Sequence, residues 1–150
     1  MNTELTDPFN LNRFLLAQVP HLEQTSFHDA LAEIQLGKKQ SHWMWYIFPQ
    51  YKGLGTSYNS VHYAIKSREE AQAYLNDPVL SQRLIEITSE FLNLENKSAY
   101  SVFGSPDDMK LKSSMTLFNA VQNETKVFEL VLDKYFFGSK CEHTLRYLEL

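Results

Sequence analysis

Cysteine is all but missing from this 150-residue chain: Cys141 stands alone. A single thiol excludes an intramolecular disulfide framework and a cysteine-built zinc site, and it fits a reducing compartment. The histidines His21, His28, His42, His62 and His143 show neither His-x-x-x-His nor His-Glu-x-x-His spacing, so no metal site and no cofactor is expected. Long apolar runs are missing too. The longest, Trp43 to Phe48, is far short of the roughly 20 residues that cross a bilayer. Met1 to Pro8 lacks the basic and apolar regions of a secretory leader, so the expectation is a cytoplasmic protein with no membrane partner. No repeat, linker or low-complexity tract divides the chain, which leaves one domain over residues 1–150, able to bury roughly 70% of its unfolded surface. Nor are there two alternating β-branched runs joined by a hairpin turn.

A further absence is local. No acidic residue occurs in the 34 positions between Ile34 and Glu69, although the chain carries 18 of them. Lys38, Lys39, Lys52, Lys66 and Arg68 fall inside this window with His42 and His62, so it is formally +5 within a chain of net charge −4; the remainder is −9. Trp43, Trp45, Tyr46, Phe48, Tyr51, Tyr58 and Tyr63 are interleaved with those cations. Cations for phosphate and ring faces for a base are what a nucleotide-like anion requires.

What is present reads as helices. Leu11, Phe14, Leu15 and Gln18 recur at helical spacing and stop before Pro20. Ser26 caps a second helix with Ala30, Leu31 and Ile34 on one face, and Gly37 supplies a left-handed stop. That helix delivers Lys38 and Lys39 at its end, either for a ligand or for its own last carbonyls. Ser41 to Phe48, closed by Pro49, is read as a short helix in preference to a buried strand, which fits nearly as well, and the Gly53-Leu54-Gly55 stretch as a plain turn, since a parallel strand and a Gly-Lys-Ser/Thr ending are missing. Tyr58 to Lys66 is expected to be helical. Ser67 with Glu70 matches a capping box, and Asp77-Pro78 opens the longest helix, with Leu80, Leu84, Ile87, Phe91 and Leu94 as its core stripe. Ser98 to Gly104 is expected to be a connector. Ser105-Pro106-Asp107-Asp108 repeats the start signal for a helix to about Val121, followed by one over Thr125 to Phe136 and a short turn or two from Cys141 to Leu148. The fold expected is all-α, a compact domain of seven or eight short helices.

The helix after Pro106 departs from the core pattern. Lys110, Ser113, Ser114 and Thr116 interrupt Met109, Leu111, Met115, Leu117 and Phe118. Such a polar flank is either solvated or the wall of a pocket, in which hydroxyls orient a ligand and Lys110 supplies charge.

Several blocks together resemble a known family. They are Arg13-Phe14-x-x-Ala17-Gln18, Gly37-Lys38-Lys39-x-Ser41-His42-Trp43-Met44-Trp45-x-x-Phe48-Pro49-Gln50, Gly53-Leu54-Gly55-x-Ser57, and Phe103-Gly104 leading into Asp107-Asp108-x-Lys110-Leu111-x-Ser113-Ser114-Met115-Thr116-Leu117-Phe118. They are similar to small bacterial proteins grouped as a domain of unknown function, number eighteen-ten. The resemblance runs from about Phe9 to Leu148 and is most specific from Ser41 to Gln50. It implies a compact helical domain and no established activity. The label calpastatin that such proteins often carry conflicts with this composition, because an inhibitor that folds only on its target is polar and poor in aromatics.

Two function classes compete. In the first, Arg13, Gln18, Lys38, Lys39, His42, Trp43, Trp45, Gln50, Lys110, Ser113 and Thr116 gather around a small anionic ligand, nucleotide-like or phosphate-bearing, where the block from Ser41 to Gln50 meets the helix of Lys110 to Thr116. His42 is the candidate acid or base should a reaction occur, with Asp107 or Asp108 to orient it, and a hydrolase acting on a nucleotide-like substrate is a further alternative. In the second, the basic aromatic segment contacts nucleic acid or a protein without catalysis. Burial discriminates: if Trp43, Met44, Ile47 and Phe48 are core, only Lys39, His42, Trp45 and Gln50 of that block remain for function.

Overall fold

Side-chain N-caps at Ser26, Ser57, Ser67, Asp77 and Ser98 fix where five helices begin. The computed structural model describes residues 6–149, within which ten α-helices and no strand occur: α1 (Asn12–Gln18), α2 (Phe27–Gln35), α3 (Met44–Ile47), α4 (Tyr58–His62), α5 (Arg68–Asn76), α6 (Pro78–Leu92), α7 (Ala99–Phe103), α8 (Asp107–Ala120), α9 (Val127–Phe136) and α10 (Glu142–Tyr147). The all-helical expectation holds; the count of seven or eight does not. The discrepancy comes from one-turn and two-turn helices. Ser98 to Gly104 is no connector: the Ser98 hydroxyl accepts from the Ser101 N–H, the Ser101 hydroxyl accepts from the Ser98 N–H, and α7 follows. Serine in place of Glu or Gln at the third helical position hid this capping box.

Other ends differ in detail. Asp77 Oδ2 accepts from the N–H groups of Val79 and Leu80 (3.2 and 2.9 Å), with Pro78 first in α6. Ser67 caps α5 as expected, but Glu70 turns its carboxylate away from the cap, toward the Lys66 N–H (2.9 Å) and Arg13. At α8 the expected Ser105 hydroxyl cap is not made; Ser105–Pro106 is cis, Pro106 occupies the cap position, and the helix starts at Asp107. The helix expected over Tyr58 to Lys66 stops at His62, because Ile65 pairs with the extended chain at Tyr51 in an isolated parallel bridge, its N–H donating to Gln50 O (2.8 Å).

One hydrophobic core holds these elements together, and α8 runs through it. From Leu111 to Phe118 every α8 residue except Lys112 is buried, including Ser113, Ser114 and Thr116. The helix packs against α3, α5, α7, α9 and α10. A helix enclosed on so many sides needs small residues where neighbours approach, so this polar flank is neither solvated nor freely exposed. The stripe of α6 is buried at Leu80, Leu84, Ile87 and Phe91. The Ser41 to Gln50 block contributes Trp43, Met44, Ile47 and Phe48, each at most 2% exposed, and Trp43, Phe48, Phe91 and Phe103 pack as tilted and edge-to-face rings. The aromatic wealth of the acid-free window is therefore mainly core: Tyr46, Tyr51 and Tyr63 are buried as well.

Candidate functional site

Of the eleven residues expected at one site, the fold uses several for itself. Arg13 is the clearest case. Nε donates to His62 O (2.9 Å), Nη1 to Phe9 O and Asn10 O (2.7 and 2.8 Å), and Nη2 to Ala64 O and Glu70 Oε2 (2.9 and 2.6 Å). All five guanidinium N–H groups are thus engaged, and the Arg13 and Glu70 side chains are 6% and 4% exposed. Arg13 pins α1 to the chain before α5 and has no donor left for a ligand. Gln18 is similar: its amide donates to Tyr46 O (2.8 Å) and accepts from Arg83 (3.1 Å). Trp43 Nε1 donates to Glu33 Oε1 (2.8 Å) and its ring is buried. Thr116 donates to Lys112 O (2.8 Å) and accepts from the Cys141 N–H (3.0 Å). Among the described residues, His42 is exposed and receives no hydrogen bond, Asp108 accepts from the Met109 N–H (2.8 Å), and Asp107 faces lysines, so neither carboxylate orients His42.

The five cations of the acid-free window do not converge. Lys38 and Lys52 are exposed, Lys66 Nζ donates to Ala64 O (3.3 Å) and Arg68 to Leu148 O (3.4 Å). Burial, together with Arg13 and Lys66, pushes the His62 pKa below its ordinary value, which disfavours a positive charge on the imidazole. The Lys39 side chain is only 6% exposed: its ammonium meets Asp107 Oδ2 (2.8 Å) and Ser41 O, and lies 5.0 Å from the Trp43 ring centre.

Gln50, Lys110 and Ser113 do come together. They line a cleft of about 460 Å³ between α8, the chain following the Ser41 to Gln50 block, and the segment that links α9 to α10. Leu54 joins them from one side, Pro106, Met109 and Lys112 from α8 and its cap, and Ser139, Lys140, Cys141 and Glu142 from the other. This is the junction the sequence pointed to, but two of its three lysines were not among the expected residues. Lys112 and Lys140 lie in the part of the chain whose formal charge is −9, and linear charge mapping passed over them. Among the described residues Glu142 is the one carboxylate lining the cleft.

Lys110 is poised at this cleft. Its ammonium lies 5.1 Å from the Trp45 ring centre and 3.5 Å from Asp107 Oδ1, a looser pairing than that of Lys39. Trp45 is half-buried; its indole N–H is enclosed and without an acceptor, and its ring does not line the cleft. The Ser113 hydroxyl is 3.0 Å from that of Thr144, which fastens α8 to α10 behind the cleft. Chemically, the arrangement offers ammonium donors, an amide and an unpaired thiol. No group of three or more His, Cys, Asp or Glu among the described residues is placed to hold a metal ion, and no helix among them is long and apolar enough to cross a membrane.

The class that fold and site define is a multihelical domain with a cleft lined by Lys110, Lys112 and Lys140. Residues 8–148 match the family described as "Protein of unknown function (DUF1810)", and the chain belongs to that family. It is similar to the conserved hypothetical protein Rv1873 from Mycobacterium tuberculosis, whose crystal structure superposes with a TM-score of 0.90 at 42% identity, covering 96% of this chain and 99% of that one. No significant match was found among curated proteins.

Proposed function

We propose that the protein binds a small anionic ligand in the cleft between α8 and the segment linking α9 to α10. The observation that carries this reading is that Lys110, Lys112 and Lys140 line one cleft with, among the described residues, a single carboxylate, Glu142. Cationic side chains in excess over acidic ones favour an anion that enters between them. Gln50 adds a side-chain amide that makes no hydrogen bond among the described residues, suited to read a carboxylate or phosphate edge. At about 460 Å³ the cleft has the size of small-molecule sites.

The nucleic-acid reading loses its main support, because most of the rings that would stack on bases are in the core. The hydrolase reading has no residue behind it once His42 stands apart from any carboxylate.

A thermal-shift series with carboxylates and phosphate esters tests the proposal. At 100 times its Kd a ligand adds about 2.7 kcal/mol, roughly 5–10 °C for a chain of this length. Lys110→Ala with Lys140→Ala should weaken any hit by about tenfold or more, whereas Lys126→Ala, outside the cleft, should leave it unchanged. A hit untouched by the double substitution would move the site elsewhere, and no shift from any anion would end the proposal.

A further inference from the structure

The composition of the cleft wall narrows the ligand further, if the anion-binding reading above is accepted. No aromatic side chain lines it. Trp45 and Phe136 lie outside the lining, each with a cleft lysine over its ring: Lys110 at 5.1 Å and Lys112 at 6.0 Å from the ring centre. A nucleobase entering here would find no ring to stack on, although stacking supplies much of the affinity of base-binding sites. The wall that is present is aliphatic. Pro106 and Met109 continue along one α8 face into Lys110 and Ser113, at the i, i+3, i+4, i+7 spacing of a helical stripe, and Leu54 faces them across the cleft. Met109 is 54% exposed and Leu54 38%, so both present apolar surface to water. The stripe from Pro106 to Ser113 spans about 10 Å, which holds an aliphatic chain of several carbons together with its head group.

We infer that the ligand is an aliphatic anion: an unbranched or lightly branched chain lying on Pro106, Met109 and Leu54, with its carboxylate or phosphate held by Lys110 and Lys140. Each half of the cleft contributes what the other cannot. Apolar contact with the chain strengthens binding with every methylene removed from water, and the ammonium groups fix which end enters. The unbranched thioether of Met109 adapts to a chain that has no single shape. A site built for inorganic phosphate alone would gain nothing from this exposed aliphatic wall.

Cys141 provides the readout, being the single thiol of the chain and part of the cleft lining. The experiment follows alkylation of Cys141 in the full-length protein by neutral iodoacetamide, with octyl phosphate below its micelle concentration, octanoate, inorganic phosphate, adenosine monophosphate or 1-octanol as protectants. Octyl phosphate or octanoate should protect at concentrations at least about tenfold lower than inorganic phosphate or adenosine monophosphate. Met109→Ser, at an exposed position, should remove that advantage and leave protection by inorganic phosphate in place. Should phosphate and the nucleotide protect as well as the octyl compounds, the aliphatic inference falls and anion binding stands. If 1-octanol protects as well as octyl phosphate, the cleft is apolar without a role for its charges and anion binding falls. Protection by none of the five overturns both.

Discussion

Glu33 collects four hydrogen bonds. Oε1 accepts from the N–H groups of Gln40 and Ser41 and from Trp43 Nε1 (2.7, 3.1 and 2.8 Å), and Oε2 from the Ser41 hydroxyl (2.6 Å). One carboxylate thus folds the start of the Ser41 to Gln50 block onto α2 and orients the buried indole. Burial alone would raise its pKa, but the hydrogen bonds outweigh burial and hold it below the ordinary 4.5. A depressed folded-state pKa means that this contribution to stability is complete above 4.5 and is lost as pH falls through the lower, folded value. Glu33→Ala should therefore cost about 3 kcal/mol in urea unfolding at neutral pH, and the gap between mutant and wild type should narrow below pH 4.5. A gap that stays constant or widens on acidification would show that the carboxylate does not do this. At this scale the sequence was a poor guide. Arg13, Gln18 and Thr116 are polar residues of the kind that bind ligands, yet each also engages partners far away in the chain, namely His62, Ala64 and Glu70 for Arg13, Tyr46 and Arg83 for Gln18, and Cys141 for Thr116, and no local spacing reveals such partners.

Among the elements, those whose ends carry their own chemistry were legible. The last turn of α2 shows why: the Lys38 N–H donates to Glu33 O (3.1 Å) and the Gly37 N–H to Ile34 O (2.8 Å), the paired bonds that close a helix over a left-handed residue. Gly37 has φ +84°, and a Cβ there would meet only the flexible end of Lys97, with Cε at 3.0 Å. Space is thus not the obstacle; backbone conformation is. Gly37→Ala should destabilise by about 1–2 kcal/mol, and Gly37→Asn by less, because asparagine tolerates this region better. Equal costs for the two would point instead to the Lys97 contact. Elements were misjudged where a distant partner overrides local preference, as where the bridge at Ile65 ends α4, or where a helix is too short to show periodicity, as in α7.

For the molecule as a whole, the segment from Ile34 to Glu69 and the cleft lysines carry one lesson. Charge that is contiguous in sequence is dispersed in space, while Lys140, some thirty residues beyond Lys110 and Lys112, is brought to the same cleft by the packing of α8 against α9 and α10. What gathers them is tertiary packing, and one inspectable part of it is the hydroxyl pair Ser113 and Thr144, 3.0 Å apart and at 1% and 0% exposure. Ser113→Ala leaves the Thr144 hydroxyl buried without this partner, and Thr144→Val does the same to Ser113; each should cost about 1–3 kcal/mol. In the double variant no orphan remains, so its cost should fall short of the sum by about 1 kcal/mol or more in a double-mutant cycle. The same bond tethers the wall that contains Cys141, so the single variants should also alkylate Cys141 faster than wild type, and the double variant should lie closer to wild type than either. Additive unfolding costs with unchanged Cys141 reactivity would mean that this pair does not brace the cleft, and that the lysines are held in place by the apolar packing of α8 alone.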